Sequence, residues 1–264
     1  MILETEKMIA EKADGIGWMT FNQPERRNAI SHEMREAILT ILDDFETDPE
    51  VRVIVMTGAG DKAFVSGSDI SRTEKGEATP EQLERQGKLS GLVQDRYLSL
   101  SKPLIAMIRG YCLGGGVATA LYADLRIAAI DAQFGIPAAR LGNAYNFTYT
   151  RMLVDLVGPA RAKEILITAR RYSAEEALQM GLVHQVVPVA ALRDTVTGIA
   201  AAIADNAPLS VIAAKAMIDE IMKDPEDRDM DRVRAVRKAC IESNDFREGR
   251  RAFNEKRKPQ WTGT

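Results

Sequence analysis

The chain has 264 residues, 45% apolar and 28% charged, the mix of a globular protein able to bury one sizeable core. Its 35 Lys and Arg against 38 Asp and Glu leave a net charge of −3, which gives no electrostatic drive toward nucleic acid or a membrane surface, so neither is expected as a partner. Cys112 and Cys240 are too few for a disulfide framework, and His32 and His184 lie far apart outside any His/Cys cluster, so reduced thiols and no metal site are expected. The segment from Met1 to Gly15 lacks the apolar stretch of a secretory signal, and no run of about 18 apolar residues occurs, so the expected location is the cytoplasm.

In chain order, Lys7 to Phe21 reads as two short strands around Asp14-Gly15, a dipeptide suited to the positive φ of a tight hairpin. Ser31 is placed to cap a helix whose apolar residues Met34, Ala37, Ile38, Ile41, Leu42 and Phe45 recur at helical spacing up to Asp48-Pro49. Val51 to Thr57, closed by Gly58-Ala59-Gly60, suits a strand covered on both faces. The polar stretch Ser71 to Gln82 reads as a mobile loop before another helix, followed by a short strand at Leu104 to Ile108. A helix opens at Gly114-Gly115-Gly116, a strand follows at Leu125 to Ala129, and the second half is mostly helical. Strands alternating with helices, then helices alone, predict an α/β core over 1–195 and a helical region over 196–264, the boundary lying between Val187 and Pro208.

Two glycine-containing turns follow two of these strands: Ala63-Phe64-Val65-Ser66-Gly67-Ser68-Asp69-Ile70 and Gly110-Tyr111-Cys112-Leu113-Gly114-Gly115-Gly116. Glycine at a strand-to-helix turn lets backbone N–H groups approach a ligand unobstructed by Cβ, and two such groups aimed at one oxygen make an oxyanion hole. The alternative is a pair of tight turns with no ligand.

The segments Phe64 to Ile70, Ile108 to Gly116, Ala123 to Ala129, Gln133 to Pro137 and Arg247 to Pro259 together resemble the crotonase superfamily, the enoyl-CoA hydratase/isomerase family, across essentially the whole chain. The resemblance implies a spiral core of ββα turns and a helical C-terminal region that mediates trimer formation, giving a homotrimer or hexamer. It also implies an acyl-CoA substrate, with coenzyme A carried by the substrate and no separate cofactor. By position, Ser68 and Gly115 become the oxyanion donors; Val65, Ser66 and the loop from Ser71 line the CoA chain; and Lys256 matches the family's CoA-contacting lysine. A thioester oxygen gains negative charge as an enolate forms, and removing one donor to such an oxygen costs about 3 to 4 kcal/mol in other enzymes.

Departures from the hydratase pattern are as informative as the matches. The two positions at which a hydratase of this family carries glutamate are Ala118 and Ala138 here. Alanine moves no proton, and general acid–base catalysis contributes typically 10²- to 10⁴-fold. Asp69 and Asp124 read as structural carboxylates, and Glu33 and Glu36 as a solvated helix face.

The spacing Leu141-Gly142-Asn143-Ala144-Tyr145-Asn146 resembles the methylmalonyl-CoA decarboxylases of the superfamily. That likeness implies that Tyr145 positions a substrate carboxylate, with Asn143 or Asn146 beside it and Arg140 as counter-charge. Tyr145 as a half-buried aromatic with its hydroxyl satisfied elsewhere is the alternative. Ser68 stands where those decarboxylases carry histidine, and its hydroxyl either faces the thioester or caps its own turn.

The leading expectation is therefore a carbon–carbon lyase, a decarboxylase of a malonyl-type CoA ester working through an enolate. Two alternatives stand beside it: a hydratase, isomerase or retro-aldol enzyme for a bulkier acyl group, and an acyl-CoA-binding paralogue without chemistry. Met217, Ile218, Ile221 and Met222 form a stripe for packing on a neighbouring copy or on the chain's own core.

Overall fold

Asp14 and Gly15, with φ of 53° and 79°, turn β1 (Met8–Ala13) back onto β2 (Ile16–Phe21) in antiparallel register, Ala13 opposite Ile16. The structure, a computed structural model, describes residues 1–69 and 79–264. α1 (His32–Thr47) begins where Ser31 Oγ accepts from Met34 N–H, and it buries every apolar position of its helical stripe. One residue departs from that pattern: Arg35 is buried among them.

The next six strands come in pairs, and each pair splits between two sheets. β3 (Val53–Gly58), β5 (Leu104–Ile108) and β7 (Leu125–Ala129) join the larger sheet, while β4 (Ala63–Val65), β6 (Tyr111–Leu113) and β8 (Gln133–Gly135) pair with one another in the smaller one. After each pair comes a helix: α2 (Pro80–Leu98), α3 (Gly115–Leu121) and α4 (Phe147–Thr168), the last broken at Gly158-Pro159. β9 (Tyr172–Ser173) completes the four-stranded sheet in the order β4-β6-β8-β9. After α5 (Ala174–Gln179), β10 (Gln185–Val187) completes the six-stranded sheet, β1-β2-β3-β5-β7-β10, parallel except at the first hairpin. This repeated strand–strand–helix winding is the ββα spiral of the expected α/β class.

Alternation within the strands explains the double burial. Ile54 and Met56 of β3 face the core shared with α1, whereas Val53 and Val55 face a second core closed by α6 (Leu192–Ala204) through Val196 and Ala200. Phe21, Phe45, Phe64 and Phe134 are fully buried in the first core, each contributing roughly 1.5–3 kcal/mol. The position 195/196, where composition divides the chain, thus falls inside a helix packed on the sheet.

The polar stretch differs from its reading as a loop up to Gln82. Positions 71 to 78 lie outside the described residues, but Thr79 caps α2 at Pro80, with Thr79 Oγ1 accepting from Gln82 N–H and Gln82 Oε1 accepting from Thr79 N–H. That reciprocal capping box, with proline at the first helical position, starts the helix early.

α7 (Pro208–Ile221) packs on α8 (Met230–Glu242), and α9 (Asn244–Glu255) follows. The chain end folds back: buried Asp245 accepts from the Thr262 and Gly263 amides, and Glu248 accepts from Arg251, Arg257 and the Gln260 amide. Among the described residues no single helix is long and apolar enough to cross a membrane.

Two stability predictions follow from these contacts. A Cβ on Gly116 would lie 1.9 Å from the Val65 carbonyl oxygen, so Gly116→Ala is expected to cost about 1–3 kcal/mol in urea unfolding by forcing the helix off β4. Arg257, with Arg251 and the Gln260 amide, holds the Glu248 carboxyl well below its ordinary value of 4.5. Its stabilising contribution is therefore complete above that value and is lost as pH falls below it. Glu248→Gln should lower Tm at neutral pH, and the gap from the parent chain should narrow in melts run from pH about 5 down to about 3.

Candidate functional site

Because β4 and β6 are parallel neighbours, with Ala63 opposite Tyr111 and Val65 opposite Cys112, the turns that follow them emerge side by side. Gly67 has φ of 128° and Gly114 φ of 54°, conformations that a Cβ disfavours. The turns touch: a Cβ on Gly115 would sit 3.2 Å from Ser68 N, and Gly116 rests against Val65 O.

Backbone bonding directs the two amides. Ile30 pairs with Ser68 as an isolated parallel bridge through Ile30 N–H to Gly67 O and Asp69 N–H to Ile30 O. In such a bridge the central residue's own N–H points away from its partner, here away from Ile30 and toward the second turn. Gly114 N–H is taken by Gly135 O at 2.8 Å, whereas Gly115 opens α3 and has no intrahelical acceptor. Among the described residues neither Ser68 N–H nor Gly115 N–H has a hydrogen-bond acceptor. Two neighbouring unspent donors are what an anionic oxygen requires.

The Ser68 side chain is exposed, and its Oγ accepts from Arg35 Nη2 at 3.1 Å. Arg35 Nη1 donates to Ile30 O and Ser31 O, so one buried guanidinium ties α1 to the first turn. Burial lowers its pKa from the ordinary arginine value. Asp69 pairs with Arg26 at 3.3 Å, and Asp124 accepts from Leu104 N–H and Lys215, the structural roles expected of both. Val65 is fully buried; Ser66 is half-buried, its N–H bonded to Arg27 O.

Ala118 is buried one turn into α3, and half-buried Ala138 packs against the main core from the 3-10 turn Pro137–Leu141. Tyr122 and Tyr145 pack against the same core as Ala138. Tyr145 Oη donates to Gly114 O at 3.2 Å, the carbonyl immediately before the second donor. Tyr97 of α2 stacks on Tyr122, with centroids 4.6 Å apart, and Tyr122 Oη donates to Tyr149 Oη of α4 at 3.0 Å. Burial raises the pKa of the Tyr97, Tyr122 and Tyr145 hydroxyls.

The remaining sequence candidates are dispersed around this centre. Arg140 and Asn143 are exposed; Asn143 gives its N–H to Ala138 O. The Asn146 amide oxygen is spent as the cap of α4, accepting from Thr148 N–H at 2.8 Å. Lys256 ends α9 with φ of 53°, exposed, and no hydrogen bond or ion pair among the described residues joins it to the turn at Val65 and Ser66. Its neighbours differ from it: Arg257 is bound to Glu248 and Glu255, and Lys258 to Asp205.

Sequence reasoning missed Arg35, Tyr97, Tyr122 and Tyr149. Tyr122 alone carried a local signal, lying four residues after Ala118 and so one helical turn farther along the same face.

Comparison with known proteins bears on the same features. Residues 11–264 match the family described as enoyl-CoA hydratase/isomerase. The chain is 36% identical to the short-chain-enoyl-CoA hydratase of Clostridium acetobutylicum, over 97% of each chain. It is equally 36% identical to the carnitinyl-CoA dehydratase of Citrobacter koseri, over 93% of this chain and 94% of that one. The crystal structure of an enoyl-CoA hydratase from Bacillus anthracis superposes with a TM-score of 0.90 at 32% identity, covering 98% of this chain and all of the other (100%). With its spiral core, its paired turns and this similarity over nearly its full length, the chain belongs to the enoyl-CoA hydratase/isomerase family.

Proposed function

We propose that the protein binds acyl-CoA thioesters and stabilises an enolate between the N–H groups of Ser68 and Gly115, adding water to or removing it from an acyl chain bulkier than crotonyl. The observation that carries this reading is the pair of adjacent donors left without acceptors among the described residues. Backbone donors remain when side chains change, so the electrostatic part of the reaction is independent of positions 118 and 138. Similarity to proteins named hydratase and dehydratase supports water chemistry over carbon–carbon cleavage. Alanine in place of glutamate at both positions also leaves more room beside the thioester, which favours a larger acyl group.

The decarboxylase alternative requires Tyr145 to meet a substrate carboxylate. Its hydroxyl hydrogen is instead given to Gly114 O, where it braces the turn that bears the Gly115 donor. Ser66 remains a proposed contact of the CoA chain, whereas Val65 is fully buried and supports that turn from within; Lys256, which has no ion pair among the described residues, is a proposed cation for the CoA phosphates.

Mass spectrometry of acyl-CoA esters incubated with the purified protein tests the reaction. The expected result is a gain of one water on branched or aromatic enoyl-CoA esters, faster than on crotonyl-CoA. Loss of CO₂ from malonyl- or methylmalonyl-CoA would restore the lyase reading, and tight binding with no conversion of any ester would leave a binding protein. Replacing the Gly115 amide N–H by an ester oxygen is expected to lower kcat about 10²- to 10³-fold. An unchanged rate would remove that donor from the mechanism.

Assembly as a homotrimer or hexamer belongs to the same proposal. Ile218 and Ile221 of α7 and Met222 at its C-cap are 60%, 64% and 49% exposed, an apolar face suited to a second copy of the chain. Sedimentation is expected to give a trimer or its double, and Ile218→Glu with Ile221→Glu to shift it toward monomer. A stable parent monomer at micromolar concentration would contradict this.

A further inference from the structure

We propose that Tyr149, held by Tyr122, is the proton donor of this site and carries the proton traffic for which positions 118 and 138 have no acid. The inference rests on the proposed enolate chemistry and names the side chain that completes it.

Hydrogen-bond accounting distinguishes Tyr149 from its neighbours. A phenol has one hydrogen to give and two lone pairs to accept with. Tyr145 has spent its hydrogen on Gly114 O, and Tyr122 has spent its own on Tyr149. The Tyr97 hydroxyl is buried with no hydrogen-bond partner among the described residues, and its residue is only 3% exposed. Tyr149 is half-exposed, accepts from Tyr122, and has no acceptor for its own hydrogen among the described residues.

Position adds to this. The Tyr149 ring lies 5.7 Å from that of Tyr145, which is bonded to the turn bearing Gly115. Tyr149 also interacts electrostatically with Arg35, which is bonded to Ser68 on the other turn. Through Tyr145 and Arg35 it is thus linked to each of the two turns.

The step balances with water as the sole co-reactant. The water oxygen forms a bond to Cβ while the double-bond electrons move onto the thioester, whose oxygen is held by the two N–H groups. The Tyr149 hydrogen passes to Cα, forming the new C–H bond. The Tyr149 oxygen takes the proton that the water loses, through its second lone pair, so the phenol is regenerated. Dehydration runs the same movements in reverse.

The test compares steady-state kinetics of the parent chain, Tyr149→Phe and Tyr122→Phe on the enoyl-CoA ester that the parent hydrates fastest, with Tm measured for each. Tyr149→Phe is expected to lower kcat about 10²- to 10⁴-fold with KM within about threefold. Tyr122→Phe, a change at a positioning residue, is expected to lower kcat about tenfold with KM likewise unchanged, as loss of one hydrogen bond to the phenol implies.

3-Fluorotyrosine at position 149 keeps the shape and makes the phenol more acidic, so the alkaline limb of kcat should move to lower pH even if the Phe variant folds poorly. Among the described residues, the groups that interact electrostatically with Tyr149 are Arg35 of α1, Tyr97 of α2, Tyr122 after α3 and Tyr145 before α4, and none of them is altered by that replacement. Full activity of Tyr149→Phe, or an unmoved limb, would overturn the assignment while leaving the enolate reading intact. No conversion of any ester by the parent chain would overturn both.

Discussion

The contact between α3 and the end of β4 is the constraint on which the site depends. Gly116 lies so close to the Val65 carbonyl that any side chain would collide with it, and that closeness sets Gly115 beside Ser68. The strand pairs explain why the contact is possible. β4 and β6 are parallel neighbours in the small sheet, so the polypeptide leaves both at the same edge. The larger sheet, buried on both faces, holds that edge still. Rigid backbone donors are thereby produced by packing, with no catalytic side chain needed to make them.

Charge around the donors comes from buried Arg35 and the Arg26–Asp69 pair, with phenols on the neighbouring elements. Arg35 reaches from α1 to Ser68 and to two backbone carbonyls, which satisfies the buried charge while orienting the turn. Phenols in place of carboxylates change the chemistry on offer. A buried carboxylate is expensive without partners, whereas a neutral tyrosine tolerates an apolar wall and still offers a hydrogen. The two alanines and the tyrosine cluster fit the proposed enolate chemistry.

Much of the fold was legible because local rules and burial agreed. Asp14-Gly15 turns the first hairpin, Ser31 caps α1, and the apolar runs of β3 and β5 are covered on both faces. The start of α2 was misplaced because the polar composition before it hid the Thr79–Gln82 capping box. Arg35 was illegible for a different reason: its partner Ser68 is distant in sequence, and an arginine on a helix ordinarily reads as solvated. The two turns could be paired from sequence because each follows a strand and carries glycine. The tyrosine cluster could not, since Tyr97, Tyr122 and Tyr149 come from three helical segments whose packing no local pattern encodes. Asn146 shows the converse case, a polar residue in a suggestive spacing whose side chain caps a helix.

The central claim is that two backbone N–H groups polarise a thioester carbonyl, and isotope-edited infrared spectroscopy of a bound acyl-CoA carrying ¹³C at that carbonyl tests it most directly. The account predicts a C=O stretch at lower frequency than in water, because two fixed donors in a site shielded from solvent weaken the bond more than mobile water does. A bound thioester whose stretch matches or exceeds its frequency in water would contradict it.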